Sequence, residues 1–214
     1  MIIRQIRYLV LGLAIGLMFS CGENADQNKD SRIPSDKAIE YNDKAVDILF
    51  RVSIQQEVDQ ESKSELEIAL KYINKAIEIQ NDYSLAKMNK VKILSKLGRE
   101  KDAIKLLQEM ESTEPNYAEV IYMQGFLYER LGDTLKAQSI YREAIKAYNN
   151  RLERDSNSVE DKVEKIFVKA FVDGKDEAYR DIQKLQEKYP DNKFVNEMER
   201  ILWTFNRNDY INDI

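Results

Sequence analysis

Small residues return along this chain of 214 residues at a fixed interval. Ala69, Ala103 and Ala137 stand 34 residues apart, and so do Ala76, Met110 and Ala144. Leu97-Gly98 is followed 34 residues later by Leu131-Gly132, and Asn81 by Pro115. A period of this size marks stacked units, none of which buries its apolar face alone. The chain carries only 7 Gly and 3 Pro, well under the roughly 12% of ordinary usage. That is too few turn residues for many short strands, so the units read as long helices with few joints. Two helices that cross closely need small residues at the crossing, which Gly125, Ala137 and Ala144 supply. Gly98 and Gly132 end apolar periodic stretches, where a left-handed cap residue is needed. Pro115 and Pro190 stop the second helix of their units.

The period and these residues resemble the tetratricopeptide repeat, a helix–turn–helix of 34 residues. The clearest unit is Ala118 to Arg151, with Gly125, Tyr128, Gly132, Ala137, Tyr141 and Ala144 at the family's small and aromatic positions. Ser84 to Tyr117 carries Leu94, Gly98, Ala103, Leu107, Met110 and Pro115. Val159 to Asn192 carries Ala178, Ile182 and Pro190, with its Asp173-Gly174 turn one residue off register. The first unit, Lys37 to Tyr83, carries Tyr41, Ala45, Ala69, Ile73 and Ala76, and has about 12 extra residues, expected between its helices. From Ala137 to Ala178 the spacing grows by seven residues, about two helical turns, which predicts one elongated helix from Leu135 to about Asp155. Phe194, Met198, Ile201, Leu202 and Phe205 fall at helical spacing and predict a closing helix, with Trp203 in its seam or outside it. The fold expected is all-α: a right-handed superhelical stack of about four such hairpins with a C-terminal capping helix. The repeat domain spans 36–206, and 207–214 is expected to fray.

The N-terminus is of another kind. Arg4 and Arg7 precede an apolar run from Tyr8 to Phe19, and small Ser20 precedes Cys21, the chain's one cysteine. A positive start, a short apolar run and a small residue before the cut describe a secretory signal, residues 1–20. As a helix the run reaches about 18 Å, short of the roughly 30 Å of a bilayer core. Met18-Phe19-Ser20-Cys21 resembles a bacterial lipobox. That resemblance implies cleavage before Cys21 and acylation of it, palmitate included, and several acyl chains give stable anchoring where one is marginal. Cleavage removes Arg4 and Arg7, so the net charge of −5 becomes −7, and the lipid rather than basic adsorption would hold the membrane. Residues 21–35 form the lipidated Cys and a polar, flexible tether. Gly22 is not the Asp that resembles an inner-membrane retention signal, so the outer membrane is the expected destination. Glu23 and Asp26 are similar to surface-export tags of Bacteroidota lipoproteins, with the periplasmic and outer faces both open.

Chemistry is narrowed by what is missing. With no His there is no Ser-His-Asp triad and no His-ligated metal; one Cys allows neither an intrachain disulfide nor a thiolate cluster. No cofactor, metal or catalytic residue is expected, and the acidic balance argues against nucleic acid. Paired acids such as Glu119, Glu129, Asp133 and Glu143 are the one opening left for an enzyme. The family resemblance implies an inner groove that binds a protein or peptide. It would be lined by Met88, Asn89, Lys92, Lys96, Tyr122, Met123, Phe126, Arg130, Phe167 and Phe171, with Asn42, Val46, Leu49, Phe50 and Val163 beside them. For Phe126, Phe167 and Phe171 the other reading is core packing between units. The function expected is a non-catalytic, lipid-anchored interaction scaffold at the cell envelope, its partner an envelope protein or another copy of itself. A narrower alternative is an accessory lipoprotein in outer-membrane protein or pilus assembly.

Overall fold

A computed structural model describes residues 33–55 and 59–213. The expected signal, Cys21 and most of the tether lie outside the described residues. Ten helices follow one another there, with no strand among the described residues: α1 Asp36–Ser53, α2 Gln60–Ile79, α3 Ser84–Lys96, α4 Glu100–Thr113, α5 Ala118–Arg130, α6 Thr134–Arg154, α7 Val159–Val172, α8 Lys175–Lys188, α9 Lys193–Thr204 and α10 Arg207–Asp213. None of the described helices is long and apolar enough to cross a membrane. The all-α helical repeat stack inferred from the period is what the chain forms. The helices fall into two compact units that divide between Arg99 and Glu100.

In the first unit α1 and α2 pack along their length, and α3 packs against both. Ala38, Ala45, Leu66, Ala69, Ile73 and Ala76 are buried with essentially no exposed surface, so the small residues lie where the backbones approach. Ser35 caps α1 by accepting the Ala38 N–H at 3.3 Å, and Asp59 caps α2 by accepting the Ser62 N–H at 2.8 Å. The extra residues of this unit are not an inserted loop. They lengthen α1 to 18 and α2 to 20 residues and leave only positions 54–59 between them. Inside the unit, Asn89 donates from Nδ2 to Asn42 Oδ1 at 2.9 Å, a buried amide pair that ties α3 to α1.

The second unit runs from α4 to α10. Consecutive helices from α4 to α9 pack on one another, α9 also reaches α7, and α10 returns to α5. The elongated helix is real, spanning Thr134–Arg154, with Ala137, Ile140, Tyr141, Ala144, Ala147 and Tyr148 buried on one face. Gly125 sits where α5 and α6 come closest: a Cβ there would lie 2.4 Å from the Tyr141 ring. Gly132 has φ +82° at the end of α5. Its N–H reaches Glu129 O at 2.9 Å, and the next N–H, of Asp133, reaches Tyr128 O at 2.9 Å. This is the paired bonding of a Schellman cap, and Gly98 ends α3 in the same way. α9 closes the hairpins as expected, and Trp203 lies outside the seam, 65% exposed, with its ring against Tyr179.

Candidate interaction surface

α5 and α7 of the second unit present an aromatic row to one side. Phe126 stands 4.8 Å from Phe171 and 6.3 Å from Phe167, and Phe167 lies 5.4 Å from Phe171. Tyr122 sits one turn before Phe126, 5.3 Å away ring to ring. Tyr141 of α6 backs the row, 5.6 Å from Phe126 and 5.2 Å from Phe171. Such offset and edge-on arrangements are the preferred ones for aromatic rings.

This row is covered. The segment expected to fray is α10, which lies over it. Tyr210 stands 5.0 Å from Phe167, 5.5 Å from Phe126 and 5.7 Å from Phe171, and Phe205 stands 5.1 Å from Phe171. Arg207 grips the end of α5. Its Nε and Nη2 donate to the two oxygens of Glu129 at 2.5 and 3.0 Å, and its Nη1 donates to Phe171 O at 2.7 Å. Glu129 also accepts the Tyr141 hydroxyl at 2.8 Å. Bidentate guanidinium–carboxylate pairs of this kind are strong and directional.

The expected groove residues divide accordingly. In the second unit Met123, Phe126, Phe167 and Phe171 are buried rather than open, while Tyr122 is half-buried. Of the two readings of the three phenylalanines, packing is what they do here, against α10 as well as between hairpins. Arg130 is half-buried and pairs with Glu100 at the start of α4 at 3.0 Å. In the first unit Met88 and Asn89 are buried, as are Asn42 and Leu49. Lys92, Lys96 and Val46 are half-buried and Phe50 is exposed. Burial pushes the Lys92 ammonium down to about 8.

Beside the aromatic row lies a polar cluster of which the sequence singled out only Glu119. Arg151, in the added turns of α6, donates from Nη1 to both oxygens of Glu119 at 2.8 and 2.9 Å. Its Nε donates to Asp161 at 3.2 Å. Glu164 of α7 is buried close by. Desolvation, with the Glu119 charge second, pushes its carboxyl up to about 8. Burial likewise holds the hydroxyls of Tyr122 and Tyr148 well above the usual phenol range. Among the described residues no group of three or more acidic, Cys or His side chains is arranged to hold a metal.

Residues 55–164 match the family model described as the Psidin N-terminal TPR repeats region. The chain belongs to the tetratricopeptide-repeat family. A solved tetratricopeptide repeat protein from Parabacteroides merdae ATCC 43184 is 19% identical with a TM-score of 0.46, over 74% of this chain and 57% of that one. This chain therefore spans little more than half the length of that protein. A second solved structure, the MamA RS-1 ArsTM double mutant, is 16% identical with a TM-score of 0.34, over 78% of this chain and 97% of that one. No curated protein matches the chain. Tetratricopeptide repeats serve generally as scaffolds for protein–protein interaction, and that coarse role belongs to this fold.

Proposed function

We propose that this tetratricopeptide-repeat protein is a non-catalytic scaffold, tethered by a lipid on Cys21 to a bacterial outer membrane, that holds an envelope protein. The observation that carries the binding half is the α5–α7 aromatic row. It ends in a half-buried carboxylate, Glu129, and takes a helical segment through rings and one guanidinium. A surface that accepts a helix this way is the helix-in-groove mode of recognition. The membrane half rests on the Met18-Phe19-Ser20-Cys21 motif and on the polar stretch behind it. The paired acids do not favour an enzyme: Glu119 is bound to Arg151, and Glu129 to Arg207 and Tyr141.

Fractionation tests the anchor. Cys21→Ser is expected to release the protein from the membrane fraction and to abolish incorporation of labelled palmitate, with export retained. Unchanged membrane association and labelling would contradict the anchor. Crosslinking in intact cells tests the partner, and the expected result is one dominant envelope protein.

A further inference from the structure

The structure holds one segment in a place where the fold offers a binding surface, and that segment is the chain's own α10. α10 has seven residues and follows the non-helical Phe205-Asn206. Isolated helices under about 12 residues are marginal in water, so α10 is helical because of what it lies on. Its grip is concentrated. Arg207 engages Glu129 and Phe171 O, Tyr210 meets three phenylalanine rings, and Ile211 is buried, while Asn208 and Asp209 face solvent. Arg, the aromatic and the branched residue stand at i, i+3 and i+4, one face of a helix. Removal of α10 would expose Phe126, Phe167 and Phe171 together and leave the Glu129 carboxylate without its guanidinium. Such a surface is not left bare in water.

We propose that α10 is an exchangeable occupant of the α5–α7 surface, displaced by a partner helix that presents an Arg, an aromatic three residues later and a branched aliphatic after it. The inference rests on the scaffold reading and adds the chemistry of the partner. The surface recognises the guanidinium through the fixed fork of Glu129, which an ammonium would not match, and the aromatic through the three rings beneath it. A segment tied by a short connection has a high effective concentration. A partner therefore binds more weakly to the intact chain than the surface itself would allow, by the fraction of time α10 is away.

The test uses the full chain and a labelled peptide of residues 204–214 as probe. The variant Arg207→Ala/Tyr210→Ala, which empties the surface, is expected to bind the peptide at least tenfold more tightly than the natural chain. A peptide with Glu in place of its Arg should not bind it, and adding Glu129→Gln should weaken binding tenfold or more. Equal binding to both chains, or no binding to the emptied one with its helical circular dichroism intact, would overturn the proposal. Hydrogen exchange on the natural chain is independent of whether the variant folds. The α10 amides are expected to exchange at least a hundredfold faster than those of α5 and α7. Equal protection would make α10 a fixed part of the core and overturn exchange. Partner capture in cells that is the same with the natural and emptied chains would leave the scaffold reading standing and refute this one. Loss of all capture with peptide exchange intact would do the reverse. Dimers that form through α10 would show a second copy as the occupant and overturn the assignment to a foreign partner.

Discussion

At the residue scale, the second unit depends on one missing side chain. Gly125 lets the Tyr141 ring lie against the α5 backbone, and Tyr141 cannot retreat because it is fully buried and its hydroxyl is held by Glu129. Gly125→Ala should raise helix propensity and still destabilise, since overpacking a fixed ring costs about 1–3 kcal/mol. Denaturant unfolding should show the loss, and Tyr141→Leu in the same chain should recover part of it. A Gly125→Ala chain as stable as the natural one would mean the two helices are not so close. Glu164 gives a second residue-scale prediction. It faces Glu119, Asp161 and Arg151 and the tyrosines 122, 148 and 210. Its carboxyl titrates at about 8 in the fold against an ordinary 4.5, so between those values the folded state binds the extra proton. Stability from this group must therefore fall as pH rises from about 4.5 to about 8. Glu164→Gln should flatten that slope and leave the variant more stable than the natural chain above pH 8, by thermal melts across the range.

At the element scale, the added turns of α6 have a purpose that spacing alone does not reveal. They carry Tyr148 into the core and Arg151 between Glu119 of α5 and Asp161 of α7. Arg151→Leu should destabilise the unit by about 1–3 kcal/mol. That is below the roughly 3–5 of a fully buried pair, because the Arg151 side chain keeps 38% of its surface exposed. A stability change under a few tenths in denaturant titration would refute that bridging role. The length of α6 was legible because a repeat that slips by seven residues must add whole turns. Gly98 and Gly132 were legible because a left-handed cap admits few other residues. The fate of 207–213 was not. RNDYIND is mostly polar, and its order comes from Glu129, 78 residues earlier in the chain. The polar cluster was not legible for the same reason: Glu119 stood out only as one of many acids, and Arg151 and Glu164 are ordinary helix-surface residues until the hairpins bring them together. The Arg130 pairing was not legible either, because its partner Glu100 lies on the preceding helix.

At the scale of the whole molecule, the period was enough to give the family and the all-helical stack, because each unit repeats one packing problem with one set of small residues. It could not tell an open α5–α7 face from one that the chain covers itself. Whether a protein partner is held at the α5–α7 face of the second unit is tested most simply by crosslinking in cells. A photo-crosslinking amino acid at Tyr122, one turn from the aromatic row, is compared in intact cells with the same group at Leu135, which is 86% exposed at the start of α6. One dominant crosslinked envelope protein is expected from position 122 and none of it from 135, with the 122 product stronger when α10 is displaced by Arg207→Ala/Tyr210→Ala. The same product from both positions, or none from 122 in either chain, would contradict it.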